Sequence, residues 1–187
     1  MILTDREIQV AIENKQIVID PPPAPTAYSS TSVDLSLSKQ IRIWKKEDNG
    51  AVEAPVFCPA KKEFKFLEVL RKYSDRQEMD EKNGYIVEPG AFVLGWTAET
   101  ISLPLHSRIA ARVEGKSSLA RLGIGIHITA PTIHAGFPGQ IQLEICNHGP
   151  IRVRIIPGMA VCQLIFEQTF GTPEKGYTGQ FFKQTQQ

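Results

Sequence analysis

Cysteine is scarce in this chain: Cys58, Cys146 and Cys162 are the only three among 187 residues. They are far apart, odd in number and form no C-x-x-C pair, which argues against a disulfide framework and a thiolate metal site. All three read as reduced thiols filling a core. No apolar run approaches the about 18–20 residues that span a bilayer, and the first residues lack the charged-then-apolar order of a secretory leader. No membrane partner is therefore expected, and the expected address is cytoplasmic. Neither sign of charge dominates: 21 Lys and Arg against 20 Asp and Glu leave a formal net charge of +1. Without a global field no nucleic-acid partner is expected, and any anion site must be local. Internal repeats are absent, and the only low-complexity stretch is a polar ending, 183–187.

What is present is enough for one core. A chain of this length with 42% hydrophobic residues is expected to form a single domain, 1–187. Thr4-Asp5-Arg6-Glu7 reads as a capping box and is followed by Ile8, Ala11 and Ile12 at helical spacing, which predicts a short helix over 5–14. Extended residues follow at 17–19, and then a proline-rich connector ends near residue 25. Ser32 to Leu37 alternates with period two, a strand with Val33, Leu35 and Leu37 on its inner face and Asp34 on the other, where an ordinary strand-face polar residue is expected. A polar turn at 45–50 and a loop at 54–60 come next. Phe64, Leu67, Val69, Leu70 and Tyr73 lie near helical spacing among charges, predicting a surface helix in 62–80 within an insertion over 62–83. From Tyr85 onward, short apolar runs separated by Pro-Gly turns read as strands. Many short strands without alternating helices predict a mainly β fold, a sandwich or barrel.

The stretch 112–146 concentrates the chemistry. Lys116, Ser117, Ser118 and Arg121 place an ammonium, two hydroxyls and a guanidinium within six residues after Gly115, a mixture suited to phosphate. The glycine spacing of a P-loop is missing, since Ala110 to Glu114 precede Gly115. Further on, Glu144 stands in the alternation Ile141-Gln142-Leu143-Glu144-Ile145. If Leu143 and Ile145 face the core, Glu144 and Gln142 face the other way. Both a solvated strand face and a working carboxyl fit that placement.

Taken in order, Ser32-Val33-Asp34-Leu35, Glu114 through Gly123, His127-Ile128-Thr129-Ala130 with Gly136-Phe137-Pro138-Gly139, Pro157-Gly158-Met159 with Gln163-Leu164, and Gly176 through Gln180 resemble the five-motif layout of the dUTPase superfamily. S-S-L-A-R, H-x-T-A and the L-E after the glycine-rich turn resemble its dCTP deaminase branch. The resemblance covers most of the chain and least of 45–83. It implies a homotrimer of distorted β-barrel or jelly-roll subunits of the dUTPase type, with sites built between neighbours and a carboxy-terminal flap, 171–187. The implied reaction is hydrolytic deamination of dCTP to dUTP and ammonia, with no metal at the base. The H-x-E and P-C-x-x-C pattern of the zinc deaminases is not in this sequence.

Attack of water on C4 of cytosine needs a base for the water and an acid for N3 and the departing amine, and one carboxyl of raised pKa can serve all three. Glu144 is the candidate, with Ser117, Arg121 and the backbone carbonyl of Ala130 holding the water. Substrate contacts are expected from Gln142 and Leu143 beside it, from Lys116 and Ser118 at the phosphates, from Gln163 at a motif position that the resemblance turns toward the nucleotide, and from Tyr177 and Gln180 in the flap. Mg²⁺ would arrive with the triphosphate, and whether dTTP inhibits is left open. Two departures stand out. The superfamily's I-D-x-G is Ile133-His134-Ala135-Gly136 here, so His134 is either an altered sugar contact or a loop residue at an interface. That change counts against onward cleavage to dUMP and leaves room for an unusual cytidine nucleotide or a non-catalytic nucleotide-binding relative. The flap lysine is also displaced by one position, to Lys175. His127, between Ile126 and Ile128, reads as structural.

Overall fold

A thirteen-residue strand, β3 (Ser32–Trp44), is the spine of the fold. A computed structural model describes residues 1–45, 56–129 and 132–176. The inner face of β3 reads as expected, with Val33, Leu35 and Leu37 at most 1% exposed. Each such aliphatic side chain contributes about 1.5–3 kcal/mol by leaving water. β3 pairs antiparallel with β11 (Ala160–Gln168) on one edge and with β6 (Phe92–Ser102) on the other. β7 (Ile109–Gly115) extends the sheet beyond β11, while β9 (Pro138–Asn147) and the short β8 (Ile124–Gly125) extend it beyond β6. Val113 of β7 and Leu143 of β9 line one cavity. The two ends of this nine-stranded sheet thus curve toward each other, giving a nearly closed, mainly β barrel.

Smaller elements decorate this sheet. The amino-terminal helix α1 (Asp5–Glu13) buries Ile8 and Ala11 against the core. Its capping box is not formed: the Thr4 hydroxyl donates to the Glu7 carboxylate, and no side-chain cap bond to the backbone is made. β1 (Val18–Asp20) then lies along β6, and β2 (Tyr28–Ser29) folds back on β3. β5 (Tyr85–Val87) and β10 (Val153–Ile155) form a separate antiparallel pair.

The insertion departs from its sequence reading. Helix α2 spans only Phe66–Tyr73, and Ser74–Glu78 form a strand, β4, on the edge of β3. Every residue of β4 is polar, so no apolar period announces it. What fixes the turn is Arg42, 6% exposed, whose guanidinium donates to the Leu70 carbonyl at 3.3 Å and to the Ser74 hydroxyl at 3.1 Å. Burial and the neighbouring Arg76 and Arg71 lower its pKa. Cys146 and Cys162 are buried as expected, but Cys58 is exposed in the loop that precedes α2. The expected turn at 45–50 and the start of the loop at 54–60 fall mostly outside the described residues. No helix among the described residues is long and apolar enough to cross a membrane.

Candidate active site

Alternation along β9 buries Ile141, Leu143 and Ile145 and turns Gln142 and Glu144 to the other face. That face is not open solvent. A cavity of 410 Å³ runs beside β9, lined by Gln142, Leu143 and Glu144, by His127 and Thr129, by Ile133 and His134, and by Phe137. Trp44, Phe66, Phe92 and Leu94 line it too, with the Trp44 and Phe92 rings stacked at a centroid distance of 6.5 Å. β6 covers one edge of β9 along nearly its whole length, whereas β8 reaches the other edge only at Cys146 and Asn147. Among the described residues no strand pairs with the earlier part of that edge.

Glu144 is half-buried, and the desolvation of its carboxylate raises its pKa above the ordinary glutamate value. Two weaker influences oppose this: the Ile128 N–H, which donates to Glu144 Oε2 at 3.4 Å, and the nearby His127 ring. His127 lines the cavity, and its buried Nδ1 has no hydrogen-bond partner among the described residues.

A second constellation forms elsewhere on the chain. After β7, Lys116 leads into one helical turn, α3 (Ser117–Ala120), on which Ser117, Ser118 and the following Arg121 are exposed while Leu119 is buried. Gly123 ends the turn at φ 89°, where a Cβ would come within 2.2 Å of the Gly149 backbone, so only glycine lets the chain pass there. None of Lys116, Ser117, Ser118 and Arg121 is among the described residues that line the cavity. Lys116 instead reaches across to β3. The Lys116 ammonium donates to Asp34 Oδ2, and Gln163 on β11 sits in register with Asp34 on β3. The Ser32 hydroxyl donates to Gln163 Oε1 at 3.0 Å. Next along β3, Ser36 donates from its hydroxyl to Glu99 at 2.6 Å and from its backbone N–H to both Glu99 oxygens at 3.1 and 3.0 Å. The buried Cys162 thiol beside this network is pushed up to about 12, mainly by burial and further by the Glu99 and Asp34 carboxylates.

Asp34 is thus not the solvated strand residue its position predicts. Its partner is 82 residues away, and the visible hint was three short polar side chains, Ser32, Asp34 and Ser36, on one face of an apolar strand. The structure brings Glu144, Gln142, Leu143 and His134 together along one cavity, and Lys116 and Gln163 into the neighbourhood of Asp34 elsewhere, with Ser118 exposed on the turn two residues after Lys116. Ala130, Tyr177 and Gln180 lie outside the described residues. Lys175 is described and exposed. No three His, Cys, Asp or Glu side chains among the described residues come together as a metal site.

The fold and site together define a mainly β protein whose nearly closed sheet carries an acid-bearing cavity and, apart from it, a turn bearing a cation and hydroxyls. The sequence model of the dCTP deaminase-like family matches residues 2–169, and the chain belongs to that family. A Methanosphaera stadtmanae protein named "dCTP deaminase, dUMP-forming" is 38% identical over 176 residues, covering 94% of this chain and 83% of that one. A Shewanella amazonensis protein named "dCTP deaminase" is 35% identical over 177 residues, covering 95% and 88%. Among solved structures, the 2'-deoxycytidine 5'-triphosphate deaminase from Agrobacterium tumefaciens superposes with a TM-score of 0.64 at 21% identity, over 88% of this chain and 47% of that one. The chain spans just under half the length of that structure, and the likeness shows the fold.

Proposed function

We propose that this protein hydrolyses dCTP to dUTP and ammonia, with Glu144 as the proton shuttle. The observation that carries the reading is Glu144 itself: a carboxyl whose pKa burial raises, on the wall of a cavity it shares with Gln142, Leu143 and His134. A carboxyl of this kind takes one proton from the water attacking C4 and passes it to N3, then takes the second from the new C4 hydroxyl and passes it to the amine, which leaves as ammonia as the C4 carbonyl forms. Ser117, Arg121 and the carbonyl of Ala130 are proposed to hold that water. Since Ser117 and Arg121 do not line the cavity of their own chain, a homotrimer would bring them from a neighbour, and this separation supports the assembly. Lys116, Ser118 and Gln163 are assigned to the phosphates. Tyr177 and Gln180 are assigned to a flap over them. Mg²⁺ belongs to the substrate in this reading, carried in by the triphosphate. The names of the relatives, dCTP deaminases with or without dUMP formation, support the substrate.

A second reading, onward cleavage of dUTP to dUMP, is favoured by the names of several relatives. It is opposed by His134, which lines the cavity where the superfamily has Asp. Incubating the protein with dCTP, CTP, dCMP and dUTP and resolving the products by chromatography separates the readings. Ammonia with dUTP supports deamination alone, dUMP supports the two-step reaction, and binding without product defeats both.

A further inference from the structure

We propose that Asp34 makes the phosphate half-site selective for a triphosphate over shorter phosphate chains. The proposal rests on the deaminase reading above and concerns how that same site chooses its anion. The cation expected to meet the phosphates, Lys116, is already engaged by Asp34 Oδ2. The pair is well shielded, the two side chains being 26% and 21% exposed. Asp34 Oδ1 is buried and has no hydrogen-bond partner among the described residues. An approaching anion therefore meets a neutral pair, with a carboxylate oxygen beside the ammonium it needs.

To use Lys116, a ligand must either share the three-donor ammonium against the repulsion of the Asp34 carboxylate or draw it away and leave that shielded carboxylate without its counter-charge. Breaking a shielded ion pair on one side is costly because the remaining charge is poorly solvated. A single phosphate group offers one contact against that cost. A triphosphate offers more charge and several groups, and it can engage Ser118 and Gln163 at the same time. The Gln163 amide is prepared for this, since Ser32 occupies its carbonyl oxygen and leaves its NH₂ available to donate. Asp34 then acts as a threshold: it weakens every anion, but a short one below usefulness.

The test is the Asp34→Asn variant, which keeps size and polarity and removes the charge. With the full-length protein, kcat/KM is measured for dCTP, dCDP and dCMP. The expected result is a strong wild-type preference for dCTP that narrows by about 10-fold or more in the variant, through KM for the shorter nucleotides. An unchanged ratio, or a wider one from selective loss of dCTP, overturns the proposal. Calorimetry with tripolyphosphate and orthophosphate separates this from a failure of the deaminase reading. Wild type should bind only tripolyphosphate and the variant both, whatever the reaction, and identical binding by the two proteins overturns the proposal as well. Asp34→Ser replaces Asp34→Asn if the latter does not fold.

Discussion

Ser32 and Gln163, 131 residues apart in sequence, are joined by a hydroxyl-to-amide hydrogen bond of 3.0 Å across β3 and β11. The bond fixes which end of the amide is spent within the protein and which is left for a ligand. Gln163→Glu replaces the available NH₂ with a second acceptor oxygen and adds negative charge beside the proposed triphosphate. Hydrogen bonds to charged groups contribute about 1.5–3 kcal/mol, so KM for dCTP should rise by roughly 10- to 100-fold with kcat little changed. Steady-state kinetics on the variant check this, and an unaltered KM would remove Gln163 from the phosphate site.

Glu144→Gln keeps the volume of the side chain and its place on β9 but cannot exchange a proton. Deamination should fall by about 10³-fold or more, with the fold and nucleotide affinity retained. Ammonia release and a binding isotherm on the same sample measure the two sides of that statement. Activity within a few-fold of wild type would dismiss Glu144 from the chemistry.

The raised pKa of Glu144 also has a signature in stability. The folded protein holds this proton more tightly than the unfolded chain, so the protonated carboxyl is the better tolerated form. As pH rises from the ordinary glutamate value through the higher folded value, the unfolded state releases its proton first and stability is lost. Glu144→Gln abolishes that loss. Melting temperatures of the two proteins should agree best at acidic pH and diverge as pH rises through this window, with the variant the more stable. A constant difference across pH would contradict the assignment.

Shared sites predict complementation. Glu144→Gln and Arg121→Ala should each be inactive alone. If each active site takes its acid from one subunit and its guanidinium from the next, random mixed trimers carry an intact pair at about a quarter of their sites. Unfolding and refolding the two together should restore activity toward that level. Absence of recovery in verified mixed trimers would place both groups within one chain.

The side of β9 on which Glu144 lies was readable, because Leu143 and Ile145 flank it and a strand has only two faces. That this face is a cavity wall was not, since Trp44, Phe92, Leu94 and Ile133 converge on it from distant strands and loops. The same holds for Asp34: its alternation gave its face, but the ion pair with Lys116 exists only once β3, β11 and β7 are aligned. Phe66 to Tyr73 carried a helical period, and the helix is there. Ser74 to Glu78 carried none, because an edge strand of polar residues packed beside β3 needs no apolar face. Cys58 was misjudged by residue type alone: thiols are commonly buried, but this one lies outside the sheet.

Arg42 has a consequence for anyone who would shorten this protein. Segment 56–78 looks dispensable, an excursion between two strands of a barrel. Cutting it away would strand a guanidinium in the sheet without the Leu70 carbonyl and the Ser74 hydroxyl that it donates to, and would strip Phe66 from the lining of the cavity. A minimal version would need a neutral, apolar replacement at position 42 before the excision, and a new wall where the helix had been.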